Sequence, residues 1–285
     1  MLWSFLAWKV FKLSILVSFA FSLAFMLFQF LRIDKMILSL PLSETLPFLV
    51  LWISYSLFYF MPTSMLISSS VIFFELKESK RLHIIESFGV SAYRAYSKVL
   101  VRFIPVFVSF LVASFMLCEE DISFVRRYLT YKYYVSVFYS MPEKTFSTFG
   151  DVTFYVDKRK DNYLSDVFFK KDDSLVMAKD AKLSDNSIIF INGSVLVKEG
   201  DKFYLTAFSK YTINLEKFVN VERKKDNVRR DRILNFINAS LSPMLMTLGF
   251  LISRVRLDSP TKLYYLVGIV SILYQFFLVI LKSAL

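Results

Sequence analysis

Three stretches of this 285-residue chain carry side chains that could do chemistry through charge. "FQFLRIDKM" (28–36) sets Arg32 and Lys35 three apart, on one helical face, where an apolar run ends and lipid phosphates lie. Cations there anchor a helix end in the interface or meet a phosphate group. "ELKESKRLHIIESFGVSAYR" (75–94) is basic and amphipathic, and "ERKKDNVRRDR" (222–232) is a dense cationic run. Other chemistry is thinly supplied. One cysteine, Cys118, excludes an internal disulfide, and one histidine, His83, cannot build a histidine-based metal site. Cys118 reads as a small apolar filler near the end of a span, and His83 as a polar-face residue. Six glycines form no phosphate cradle and no Walker-type run, so no cofactor is expected and any ATP must be bound by another subunit. No catalytic dyad or triad is visible.

These residues are positioned by membrane helices. Over half the chain is hydrophobic (55%) and mean hydropathy is +0.49, too apolar for a soluble domain. A spanning helix needs about 20 mostly apolar residues, and five segments supply them: 13–31, 46–74 with Pro62 near its middle, 103–118, 233–253 and 263–281. The third reaches full length only if Lys98 and Arg102 snorkel. The first reads as a retained anchor, since its apolar run exceeds the usual signal-peptide length and no A-x-A-like site follows it. In the fourth, Asn235, Asn238, Ser240 and Ser242 surround Pro243 and should bond neighbouring helices.

The charge pattern orients the chain. Residues 119–232 hold 21 Lys/Arg against 18 Asp/Glu, so most of the net +11 flanks the spans, which points to topology rather than nucleic-acid binding. Lys9, Lys12, Lys77, Lys80, Arg81, Arg94, Lys98, Arg102, Arg254, Arg256 and Lys262 fall on one side, opposed only by Glu75, Glu78, Glu86 and Asp258. That side should be cytoplasmic. The 222–232 cluster would then lie outside, where it fits the rule poorly.

Between the third and fourth spans the sequence becomes short, aromatic, β-branched segments with polar turns, as in a sandwich or jelly roll. Asn192-Gly193, between two apolar runs, reads as a hairpin turn, although with Ser194 it also matches a glycosylation sequon. "SFVRRYLTYKYYVSVFYS" (123–140) fits a helix or a strand.

In 75–94, Leu82, Ile85 and Gly89 fall near one helical stripe, with Leu76, Ile84 and Phe88 at its edge. Gly89 suits a C-cap and Ser91 an N-cap for the next helix. From the residues alone, this segment either lies on anionic lipid or docks a partner.

The order of elements resembles the LptF/LptG permease family of the lipopolysaccharide export ABC transporter. The likeness rests on Pro62 in the second span, on "HIIESFGVSAYR", and on "FSTFGDVTFYVDKRKDNYLSDVFF", which is similar to the family's approach to its jelly roll. It implies an α-helical polytopic membrane protein of the inner membrane, with transmembrane helices in 1–118 and 233–285 and a periplasmic β-jelly-roll domain at 119–232. It further implies that 75–94 is a coupling helix whose Leu82, Ile85, Glu86, Phe88 and Gly89 contact a cytoplasmic ABC ATPase dimer. Arg32 and Lys35 would line the lateral path of lipopolysaccharide. Implied partners are a second LptF/LptG-type half and a periplasmic jelly-roll bridge protein. Two departures stand out: Arg81 occupies a position that is usually acidic, and five spans are visible where the family has six. A different reading is a membrane-anchored scaffold or sensor whose β domain binds a protein partner, but the sequence holds no cytoplasmic output domain. The lipoprotein-releasing permeases, with four spans and a large domain after the first, do not match this order.

Overall fold

The computed structural model describes residues 2–30, 41–140, 142–149, 152–171, 173–184, 187–200, 202–214, 224–255 and 259–285. They divide into two compact units, with the divisions in the sheet-bearing insert falling at Ser123 and Arg223.

The helical unit is built around one buried helix. Its elements are α1 (Leu2–Phe30), α2 (Leu42–Glu78), α3 (Arg81–Ser87), α4 (Ala92–Arg102), α5 (Ile104–Met116), the first turn of α6 (Glu119–Ser140), α7 (Lys225–Arg254) and α8 (Pro260–Ala284). Among the described residues α1, α2, α7 and α8 are long and apolar enough to cross a membrane, and α4 with α5, bent by 45°, adds a fifth when the pair is counted as one span. The bend has a local cause. Pro105, in the first turn of α5, has no N–H to donate back to Val101, so the chain closes α4 with Phe103 N–H to Leu100 O (2.9 Å) and restarts.

Helix α2 is the most enclosed of the spans, and small residues let α7 lie against it. Ser69 Oγ donates to Met246 O at 2.8 Å, and Gly249 lies so close that an added Cβ would sit 2.2 Å from Leu66 O. The polar residues of α7 bond neighbouring helices, as the sequence led us to expect. Asn235 Nδ2 donates to Leu117 O (2.7 Å), and Asn238 Nδ2 to Tyr59 O (3.0 Å). Ser242 instead donates within its own helix, to Asn238 O (3.4 Å). A buried cluster including Leu6, Val10, Phe73, Leu82, Tyr96, Val99 and Phe250 joins α1, α2, α3, α4 and α7 at one end, with Tyr96 stacked on Phe250 at 4.4 Å.

The second unit is a single antiparallel sheet with α6 packed on it. Its strands are β1 (Ser147–Phe149), β2 (Val152–Lys160), β3 (Tyr163–Lys171), β4 (Ser174–Ser184), β5 (Ser187–Glu199) and β6 (Lys202–Asn214), in spatial order 1 to 6. The ambiguous stretch before them is helical, and its Tyr131, Val137 and Phe138 enter the core of the sheet.

This sheet is creased. In β3 the buried positions run Leu164, then Val167 and Phe169; in β4, Val176 and Ala178, then Ala181 and Leu183; in β5, Ile188 and Phe190, then the half-buried Val195, which packs on the same core. Each strand thus changes phase by one residue, whereas an uninterrupted strand alternates strictly. The changes align, because each ladder from β2 to β6 lacks one rung in the same transverse row: Asp157, Asp166, Lys179, Asn192 and Ser209. Asp166 (φ 50°) and Asn192 (φ 54°) take the left-handed conformation that Asp and Asn tolerate best. The extra residue per strand keeps the same face inward on both sides of the row. Phe169 and Phe190 lie on opposite sides of it and two strands apart, on the order of 19 Å in a flat sheet. Their ring centroids are 6.0 Å apart. The sheet is therefore folded on itself, giving a jelly-roll-like shell from strands that pair only with their chain neighbours among the described residues.

This corrects one expectation. Asn192-Gly193 is no hairpin turn but the crease inside β5, with Gly193 admitting Met177 O and the Phe208 ring where a Cβ would clash at 2.2 and 2.7 Å. The β5–β6 connection lies instead at Gly200 (φ 63°).

Candidate coupling site

Helix α3 is a seven-residue segment held rigidly between two membrane helices. At its start, Lys80 adopts φ 58°, which turns the chain after α2 while Ile84 N–H still bonds Lys80 O (3.2 Å). At its end, Gly89 has φ 77° and its N–H closes on Glu86 O (2.9 Å). An added Cβ at Gly89 would meet nothing within 4 Å, so glycine is required there by backbone conformation and not by space. Ser91 caps α4 by accepting from Arg94 N–H (3.4 Å).

The apolar residues of α3 divide between two tasks. Leu82 is 1% exposed and belongs to the buried cluster with Leu76 and Tyr96. It ties α3 to the spans and is closed to any partner. Ile85 and Glu86 are half-buried. The open apolar surface is Ile84 (57% exposed) and Phe88 (81% exposed), one turn apart and flanked by exposed Arg81. The sequence reading placed these two at the edge of the stripe and Leu82 at its centre; the structure reverses that emphasis.

Glu86 is held from two sides, by His83 Nδ1 (3.3 Å) on its own helix and by Arg254 (3.8 Å) at the end of α7. Lys77 Nζ donates to Val255 O at 2.9 Å, a second tie between the α2–α3 region and the α7 terminus. Lys9 pairs with Glu75 at 2.8 Å. The loops and helix ends expected on the cytoplasmic side therefore do meet at one end of the unit. The tie to Arg254 was not foreseen, because nothing in the local sequence links positions 86 and 254.

The sequence reading also missed an acidic clasp at the α6 start. Glu120 is 3% exposed, its carboxylate accepting from Lys224 N–H (3.0 Å) and Asn227 Nδ2 (3.1 Å), which caps α7. The Glu120 N–H donates to Asp231 (2.9 Å), and Glu119 pairs with Lys282 of α8. Three acids in a row directly after a span, "EED", are the signal that could have pointed here. The described part of the basic run, 224–232, thus adjoins buried carboxylates. Cys118 is buried, its N–H bonded to Asp121 (3.2 Å). Arg32 and Lys35 lie outside the described residues.

A bundle of spans around α2, a short helix with an open apolar face at one end and a folded sheet inserted between the third and fourth spans describe a polytopic membrane protein. The chain belongs to the LptF/LptG family, the lipopolysaccharide export system permeases, whose model matches residues 4–239. It is accordingly a multi-pass inner-membrane protein and a transport subunit. It is also similar to a protein of Aquifex aeolicus (strain VF5), described as an uncharacterized protein, with 24% identity over 285 residues and all of both chains covered.

Proposed function

We propose that the chain is one half of an ATP-driven permease that extracts lipopolysaccharide from the outer leaflet of the inner membrane. It pairs with a second LptF/LptG-type half, is driven by a dimer of cytoplasmic ABC ATPases, and passes its substrate to a periplasmic jelly-roll bridge. The geometry of α3 carries this reading. A knob fixed by Leu82, Glu86 and two left-handed backbone positions transmits a push with little loss, and Ile84 with Phe88 offers the apolar anchor that a docking groove requires. The far strand of the sheet supports the bridge contact. β6 is exposed along nearly its whole length, with Phe203, Tyr204 and Leu205 each half or more open, and it pairs only with β5 among the described residues. Such an edge accepts another strand. Arg32 and Lys35 keep their place in the substrate path on the family likeness.

Co-purification tests the central claim. Full-length chain carrying Ile84→Asp and Phe88→Ala should recover less than about a tenth of the ATPase recovered by wild type, since burying each apolar side chain contributes about 1.5–3 kcal/mol. Normal recovery from a variant that remains folded and membrane-inserted would refute docking through α3.

A further inference from the structure

Helix α4 carries a charge pattern that neither coupling nor the substrate path explains. Arg94, Lys98 and Arg102 recur every fourth residue, so they form one stripe along its surface. All three are exposed, Ala92–Arg102 contains no acidic residue, and none of the three has an ion-pair partner among the described residues. The opposite face is buried through Ala92, Ala95, Tyr96 and Val99, which fixes the direction in which the stripe points.

The stripe is organised. Arg102 Nε donates to Ser4 Oγ (3.1 Å) and its terminal nitrogen to Lys98 O (3.0 Å), leaving further donors of the guanidinium free. The Lys98 ammonium sits 5.2 Å from the ring centre of Trp3 on α1. Tryptophan favours the membrane–water boundary, which sets the depth. Depth follows independently from length. The 13 residues of α5 rise only about 20 Å, short of the roughly 30 Å hydrocarbon core. The last turns of α4 therefore complete the crossing, with Arg102 and Lys98 snorkelling outward, and the start of α4 beside α3 reaches the polar layer of the leaflet on that side. Exposed Val101, Ile104 and Val108 continue from the stripe toward the hydrocarbon.

We propose that Arg94, Lys98 and Arg102 form a binding site for the phosphate of an anionic glycerophospholipid in that leaflet. The Arg forks supply paired donors and the Lys a point charge, while the acyl chains run along Val101, Ile104 and Val108. The apolar continuation and Trp3 favour a lipid over a protein partner, and the site is separate from Ile84 and Phe88.

The test is a phosphatidylglycerol titration of the purified full-length chain in zwitterionic detergent, with bound lipid counted by native mass spectrometry. Wild type should bind phosphatidylglycerol in preference to phosphatidylcholine. Arg94→Gln with Lys98→Gln and Arg102→Gln should bind it about 100-fold more weakly, taking about 1 kcal/mol per cation near an anionic surface. If the triple variant does not fold, Arg94→Gln alone should show a loss of about fivefold, since among the described residues no hydrogen bond or ion pair uses that side chain. Arg94→Lys with Arg102→Lys should retain most of the affinity. Unchanged binding in the Gln variants would overturn the site. Displacement of the lipid from wild type by equimolar inorganic phosphate would reduce it to a bare anion site. Loss of co-purifying ATPase with lipid binding intact would show the stripe to be a protein contact instead.

Discussion

The Tyr274 hydroxyl on α8 donates a 2.6 Å hydrogen bond to Asn238 Oδ1 on α7, and the amide nitrogen of the same Asn238 donates to Tyr59 O on α2. One buried side chain thus joins three helices. Tyr274→Phe removes one bond and should destabilise the detergent-solubilised protein by about 0.6–2 kcal/mol. Asn238→Leu removes both and should cost more. Equal unfolding midpoints for the three proteins would show that the tie contributes nothing.

Close approach of α2 and α7 makes a sharper contrast. At Gly249 a Cβ would sit 2.2 Å from Leu66 O and 2.3 Å from Ser69 Oγ, whereas at Gly268 on α8 it would meet nothing within 4 Å. Gly249→Ala should therefore destabilise by about 1–3 kcal/mol through overpacking. Gly268→Ala should be neutral or slightly stabilising because alanine favours helix. Thermal melts of the two variants side by side would settle the matter, and a reversed order would contradict the packing.

Leu82 and Phe88 should separate stability from docking. Leu82→Ala opens a cavity in the buried cluster and should lower stability by about 2–5 kcal/mol. Phe88→Ala, at a site 81% exposed, should leave the melt unchanged and weaken only ATPase recovery. A Phe88→Ala protein with a lowered midpoint and full ATPase recovery would invert the assignment.

The crease can be probed through backbone conformation. Asn192→Gly keeps the left-handed geometry and should preserve the sheet. Asn192→Val places a β-branched residue at φ 54° and should cost about 1–2 kcal/mol. Hydrogen exchange over 152–214 in the full-length chain should rise in the valine variant alone; protection equal to wild type would argue against strain at this row.

The spans and the caps at Gly89 and Ser91 were legible because each depends on residues close together in sequence. The helix-bonding role of Asn235 and Asn238 was legible because a polar side chain within an apolar span must find a partner on a neighbouring helix. The outward side of α3 was not. A helix of seven residues makes two turns, too few for periodicity to distinguish a face packed on the chain's own spans from one awaiting a partner. Leu82 and Phe88 look alike until the body behind them is known. Asn192-Gly193 misled for a related reason. A left-handed Asn followed by Gly serves a hairpin and a crease equally well, and the choice is made by neighbouring strands. The stretch before the sheet is rich in Tyr and Val, and packing of Tyr131, Val137 and Phe138 on the sheet decided its form where propensity could not. Glu120 and Arg254 depend on partners more than a hundred positions away.

The creased row makes the length of each strand a shared property of the whole sheet. Deleting Asn192 alone would straighten β5 and keep its inward residues inward, yet leave it one residue out of step with β4 and β6 beyond the fold. Losing Asp157, Asp166, Lys179, Asn192 and Ser209 together would restore every ladder and abolish the bend. Single-residue insertions or deletions at this row should thus be tolerated only in concert across strands, so that β2 to β6 can gain or lose curvature as a set but not one at a time.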